Sequence, residues 1–172
     1  MPTSHVAIFI HLVWATWDRQ PLLTPELAPR VQRVVADKAQ ESGAEVLAIG
    51  GVEDHLHLLV RLPATVTIAT LMKQIKGGSA YFIAQQLAPG SNFRWQGSYG
   101  AFSIGRRQLG AVCAYIAQQR EHHATNDPLV RWEERVLART RMLGEGAGPI
   151  WDAMFEEGWG DDERVEEEDS AH

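Results

Sequence analysis

The chain has 172 residues, of which 45% are hydrophobic, so it suits one domain of ordinary size with a real core plus an appendage. No run approaches the roughly eighteen apolar residues of a membrane span, and the first residues lack a secretory signal pattern, so a soluble cytoplasmic protein is expected. The single cysteine, Cys113, excludes an intrachain disulfide and a cysteine-cluster zinc site.

The net charge of -6 is unevenly distributed. Residues 1–131 carry 12 Lys and Arg against 9 Asp and Glu, a balance of +3, whereas residues 132–172 carry 4 against 13, a balance of -9. The body is therefore mildly basic and the tail strongly acidic. The overall charge does not exclude a nucleic acid as the partner of the body.

Apolar periodicity and turn residues predict seven elements. Strands are predicted over residues 5–16, 45–50, 55–62 and 93–104, and helices over residues 24–43, 66–87 and 106–123. Two adjacent glycines, Gly77 and Gly78, should weaken or bend the second helix near its middle. The order of elements favours an α+β, ferredoxin-like sandwich in which two crossover helices cover one face of an antiparallel sheet.

The folded domain is expected to span residues 1–130. Residues 131–160 predict a helical extension, because Trp151, Phe155 and Trp159 recur at helical spacing and form a stripe that would dock on the body or on a partner subunit. Residues 161–172 are mostly acidic and are expected to be disordered.

The third strand carries the first candidate site. Side chains alternate between the faces of a strand, so His55 and His57 should point the same way. Two imidazoles on one face could hold one divalent metal ion. The alternative is a pair of partly exposed histidines that face water. Asp54 is either a partner that orients His55 or simply a turn residue.

The third helix carries the second candidate site. With about 100° of rotation per residue, Tyr115 and Gln119 stack together at the edge of the buried face. They could meet the two histidines, which would bring together a nucleophile, an amide ligand and two imidazoles. A phenol can attack a phosphodiester and stay attached, and mixed imidazole and amide ligation suits Mg²⁺ or Mn²⁺.

At these residues the sequence resembles a known family. Residues 54–60 (DHLHLLV) resemble the His-hydrophobic-His motif of the HUH endonucleases, and residues 115–123 (YIAQQREHH) resemble the catalytic helix of their single-tyrosine transposases. That is the insertion-sequence-200-like family, which includes the REP-associated transposases. Its other recurring blocks resemble, in the same order, residues 11–16, 75–80 and 95–105.

The resemblance implies a ferredoxin-like homodimer in a bacterial cytoplasm, associated with the nucleoid when it is bound to DNA, that cleaves single-stranded DNA beside hairpins. It implies that His55, His57 and Gln119 bind Mg²⁺ or Mn²⁺. Tyr115 would be the nucleophile, forming a 5′-phosphotyrosine and freeing a 3′-OH. In the family, the tyrosine helix of one subunit can complete the site of the other.

Basic and aromatic residues predict a groove that neutralises phosphates and stacks bases. The candidates are Lys73, Lys76, Arg94, Trp95, Arg106 and Arg107. Each cation could instead be a solvated surface charge, and the aromatic ring could belong to the core. His11 is expected to be structural; the alternative is that it faces the site from the central strand on which it lies.

Two other functions stay open at this point. A captured relative of the transposases could bind structured single strands as a regulator without cutting them. Hydrolysis by a metal-activated water is the third possibility, and the lack of a carboxylate at an obvious ligand spacing disfavours it. The acidic tail departs from the family pattern, and we hypothesise that it competes with DNA for the basic body.

Overall fold

Four strands form one antiparallel sheet in the order β2-β3-β1-β4. The computed structural model describes residues 5–119 and 121. The strands are β1 (Ile8–Ala15), β2 (Glu45–Val52), β3 (His55–Leu62) and β4 (Gly100–Ile104). β1 and β3 therefore occupy the centre, as their nearly continuous apolar sequences predict.

Helices α1 (Ala28–Glu41) and α2 (Ile68–Phe82) cover one face of this sheet. Alternate residues of the strands, among them Trp14, Leu58 and Val60, point to that face and are fully buried against the two helices. This layer holds the main hydrophobic core. The predicted α+β, ferredoxin-like sandwich is confirmed, with its two crossover helices on one face.

Helix α3 (Leu109–Ala117) packs on the opposite face, over β2 and β3. Val112 and Ile116 bury Leu59 there in a second, smaller apolar cluster. Gly50 of β2 permits this close packing, because a β-carbon at that position would overlap the carbonyl oxygen of Ile116. The third helix therefore lies on the face that His55 and His57 share with Leu59.

Three local expectations differ from the structure. Helix α2 is continuous through Gly77 and Gly78, because its apolar face packs in the core and Thr67 caps its start by accepting a hydrogen bond from the Thr70 N–H at 3.1 Å. A π-helical turn, Ile83–Leu87, follows it. β4 begins only at Gly100, since residues 93–99 form a loop joined to β1 by one bridge between Trp95 and Thr16.

The third helix begins later than predicted, at Leu109. A 3₁₀ turn, Arg106–Gln108, precedes it, and Gln118 leaves helical geometry after Ala117. The predicted helical extension over residues 131–160 and the acidic tail over residues 161–172 lie outside the described residues. Within residues 5–119 and 121, each helix is too short or too polar to traverse a bilayer.

Candidate active site

His55 and His57 lie side by side on the face of β3 that α3 covers. Both side chains are fully buried, with 0% of their surface exposed, and their ring centroids are 5.1 Å apart at an angle of 72°. The alternative of two histidines facing water is therefore wrong. A buried polar ring needs a defined partner, so the contacts of each ring determine what the site can do.

His55 is oriented by a carboxylate and a guanidinium. Asp54 Oδ1 lies 2.6 Å from His55 Nδ1, and Asp54 Oδ2 accepts a hydrogen bond from Arg19 Nε at 2.8 Å. Burial alone would raise the pKa of the Asp54 carboxyl, but hydrogen bonds and charge from His55 and Arg19 outweigh it and lower the pKa to about 2. The carboxylate is thus ionised and holds Nδ1 of His55, which directs Nε2 away from Asp54.

His57 is oriented by another histidine. His11 Nε2 lies 2.9 Å from His57 Nδ1, and the two rings stack with centroids 5.1 Å apart and an angle of 24°. His11 is buried, and it comes from β1, which neighbours β3. The structure therefore places His11 within the site, which the sequence left undecided.

Tyr115 also contacts His57. Its ring stands edge-on to the imidazole, with centroids 5.9 Å apart and an angle of 86°, and its hydroxyl oxygen is buried. The predicted convergence of the α3 phenol with the histidine pair is thus present within one chain. The apolar contacts of α3 with Leu59 explain this position, since Tyr115 precedes the buried Ile116 by one residue.

Gln119 lies just beyond the end of α3 and is 1% exposed. Neither its amide oxygen nor its amide nitrogen has a hydrogen-bond partner among the described residues. The side chain lines a cavity of about 430 Å³ together with Gly50 of β2, which pairs directly with His57. Gly50 therefore connects the lining of this cavity, through one strand pairing, to the strand that carries the two histidines.

The donor set fits a small divalent cation. A buried amide without partners calls for a bound water, ion or ligand, and an amide oxygen is a ligand that Mg²⁺ and Mn²⁺ accept. Within residues 5–119 and 121, no three His, Cys, Asp or Glu side chains are arranged to hold a metal ion. A cation at this place would therefore need Gln119 in addition to His55 and His57.

Comparison with known proteins decides the family. The family model described as "Transposase IS200 like" matches residues 4–119. The chain belongs to the IS200-like transposases. As an IS200-like transposase, it is a member of a family of DNA transposition proteins, and its fold and motifs agree with the resemblance noted in the sequence.

Sequence and structural matches to relatives of this IS200-like transposase span most of the residues that the structure describes. The ISDra2 transposase TnpA of Deinococcus radiodurans is 28% identical over 117 residues, which span 64% of this chain and 83% of that relative. A crystal structure of a proposed transposase from Deinococcus radiodurans R1 superposes with a TM-score of 0.54 at 26% identity, covering 69% of this chain and 96% of the other.

A REP-associated tyrosine transposase bound to a REP hairpin shares the fold. It has a TM-score of 0.55 and 14% identity, and the match covers 72% of each chain. At this identity the likeness concerns the fold alone.

The predicted DNA-contacting residues of this IS200-like transposase fall into two groups. Lys73, Arg94, Arg106 and Arg107 are exposed, so their role in binding DNA stays a prediction.

The prediction that Trp95 stacks on bases is wrong. Trp95 is 7% exposed, its indole N–H donates to Ser79 Oγ at 2.9 Å, and its ring packs against Trp14. Its ring faces therefore belong to the core and are closed to bases.

Lys76 also differs from the prediction. Its ammonium donates to the carbonyl oxygens of Gln96, Gly97 and Ser98, at 2.5, 2.8 and 3.2 Å. All three N–H donors are used inside the protein, so Lys76 holds the loop before β4. A phosphate contact by Lys76 would require one of these bonds to break.

Sequence reasoning missed the turn after β1, Trp17–Arg19. Asp18 and Arg19 both have φ of 53°, which brings the Arg19 side chain to Asp54 and leaves Trp17 on the surface, 42% exposed. The Arg94 guanidinium lies 4.4 Å above the indole of Trp17. Asp18 is of a residue type that adopts the left-handed region more readily than most, but Arg19 is not, so the sequence contains only a weak local signal for this turn.

Proposed function

We propose that this IS200-like transposase cleaves single-stranded DNA and joins strands through a covalent bond between Tyr115 and a 5′ phosphate. The observation that carries the proposal is the packing of the Tyr115 ring against His57, on the sheet face that also buries His55. A tyrosine from one helix thus lies beside two histidines from one strand, which is the arrangement predicted for a nucleophile and its metal ligands.

Tyr115 would attack the phosphorus atom of one phosphodiester. Its phenol loses a proton, its oxygen forms a bond to phosphorus, and the bond from phosphorus to the 3′ oxygen breaks. The departing 3′ oxygen takes up a proton, which leaves a 3′-OH and a 5′-phosphotyrosine. The number of phosphoester bonds is unchanged, so a 3′-OH can reverse the step and join the strand elsewhere.

His55, His57 and Gln119 would hold a Mg²⁺ or Mn²⁺ ion beside Tyr115. When bound, such an ion withdraws charge from a phosphate oxygen and orients the scissile bond. The two imidazoles would use Nε2, because Nδ1 of each ring is engaged by Asp54 or His11. Gln119 would supply its amide oxygen, whose burial without a partner supports this role.

The DNA partner would carry a hairpin beside the cleaved strand, and the protein would act as a homodimer. The fold shared with a REP-hairpin-bound tyrosine transposase supports the first part, and the second part is what the resemblance to the family implies. The exposed Arg94, Arg106 and Arg107 supply positive charge for the phosphates.

The test is to incubate the protein with a hairpin-bearing single-stranded oligonucleotide and Mn²⁺, followed by a denaturing gel. We expect a covalent protein–DNA species that is absent with Tyr115→Phe and with a chelator. Tyr81→Phe is the matched control, because Tyr81 is exposed on α2 and should leave the product unchanged. Binding without any covalent species would indicate a captured, non-cutting relative, and cleavage that persists in Tyr115→Phe would indicate attack by water.

A further inference from the structure

We infer that His11 is a positioning residue that sets where His57 carries its proton, and thereby makes Nε2 of His57 available to a cation. The inference deepens the proposed function, because it concerns how one of the proposed metal ligands is prepared. It is carried by the contact between two buried imidazoles from neighbouring strands.

The geometry of the contact is fixed by the sheet. Val13 of β1 pairs with His57 of β3, and His11 lies two residues along β1, on the same face. This diagonal arrangement brings His11 Nε2 to 2.9 Å from His57 Nδ1 and stacks the two rings. Phe102 of β4 pairs directly with His11, and its ring centroid lies 6.2 Å from that of His11.

One proton must occupy the line between the two nitrogens. If His57 Nδ1 carries it, His57 donates to His11, and His57 Nε2 has a lone pair for a cation. If His11 Nε2 carries it, the proton of neutral His57 must reside on Nε2, and that nitrogen cannot bind a cation. His11 therefore selects between a ligand form and a blocked form of His57.

The two proposed histidine ligands differ in this respect. His55 Nδ1 faces the Asp54 carboxylate, which is fixed as an acceptor by its ionisation and by Arg19. His57 Nδ1 faces Nε2 of His11, which donates or accepts according to where His11 carries its own proton. For His57 to bind a cation through Nε2, His11 must carry its proton on Nδ1, which leaves Nε2 of His11 as the acceptor for His57.

The experiment is long-range ¹H–¹⁵N spectroscopy of the histidine rings in the metal-free full chain, with a Mn²⁺ titration followed by calorimetry. Wild-type protein should show His57 protonated on Nδ1. His11→Phe keeps a ring but removes the acceptor, and should move the His57 proton to Nε2 and weaken Mn²⁺ binding by about 10- to 100-fold. His11→Gln restores an acceptor and should recover both properties at least in part.

His5→Phe is the matched control, since His5 is an exposed histidine before β1 and its loss should change neither readout. The inference is overturned if His57 carries its proton on Nε2 in the wild-type protein, or if His11→Phe and His11→Gln behave like His5→Phe. A wild-type chain that binds no Mn²⁺, but whose His57 proton still moves in His11→Phe, would refute the proposed metal site and uphold the positioning by His11. If His11→Phe does not fold, His11→Leu, which also lacks an acceptor, takes its place with the same expected and contradicting results.

Discussion

Gly50 of β2 lies directly beneath the backbone carbonyl of Ile116 in α3. A β-carbon on Gly50 would overlap that oxygen, and it would also crowd the Ile116 side chain at 3.1 Å. The obstacle is backbone, which cannot rotate away as a side chain would. The position of α3, and with it that of Tyr115 and Gln119, therefore depends on a missing side chain one strand away from His57.

We expect Gly50→Ala to destabilise the protein by about 1–3 kcal/mol, because the added methyl group forces α3 away from the sheet. It should also reduce formation of the covalent DNA product, since Tyr115 moves with the helix. Urea unfolding and the gel assay measure the two effects. Gly97→Ala is the control, because nothing lies within 4 Å of that position; equal stability of the two variants would contradict the argument.

Asp54→Asn should weaken binding of Mn²⁺ by about 10- to 100-fold, because an amide cannot accept from both His55 and Arg19 as the carboxylate does. Isothermal titration calorimetry measures the affinity. Glu53→Gln removes an exposed acid from the adjacent turn position and controls for charge alone. An equal loss in both variants would show that only the general negative charge matters.

Lys76 should give the protein a characteristic dependence of stability on pH. Burial lowers the pKa of Lys76 from 10.5 to about 8, so between these values the unfolded chain holds a proton that the folded protein has released. The free energy of unfolding of the wild type should therefore rise, relative to Lys76→Met, as the pH increases from about 8 to 10.5. Lys73→Met, on the exposed side of α2, is the control for the loss of one lysine side chain.

Urea unfolding at several pH values between 7 and 10.5, on the order of one pH unit apart, tests this sign across the titration range. A difference between wild type and Lys76→Met that stays constant with pH would contradict it. That result would mean that hydrogen bonds to the carbonyls of Gln96, Gly97 and Ser98 stabilise the charged Lys76 ammonium as well as water does in the unfolded chain.

Trp17→Leu should weaken binding of single-stranded DNA if bases stack on the exposed indole that Arg94 covers from one side. Stacking of one base contributes about 1–3 kcal/mol, so the dissociation constant should rise by at least fivefold. Fluorescence anisotropy in a Tyr115→Phe background measures binding without cleavage. Tyr81→Leu removes an exposed aromatic ring of α2 and should have no effect; a similar loss there would indicate non-specific binding.

Short-range patterns predicted much of this protein. The bounds of β3 were predicted correctly because an apolar run of β-formers ends at turn residues on both sides, and alternation along that strand placed His55 and His57 on one face. Helical spacing placed Tyr115 beside the apolar face that packs on the sheet. The fold class and the family are confirmed, whereas the catalytic and ligand roles of these residues stay predictions.

Contacts between distant parts of the chain were decided only by the tertiary structure. His11 and His57 are 46 residues apart, and Arg19 and Asp54 are 35 apart, so their meeting depends on strand register and on a left-handed turn. The path of the loop before β4 likewise decided that Lys76 bonds to loop carbonyls and that Trp95 packs in the core. Periodicity is a property of neighbouring residues and can be read from the sequence, but register and loop path follow from the packing of the whole chain.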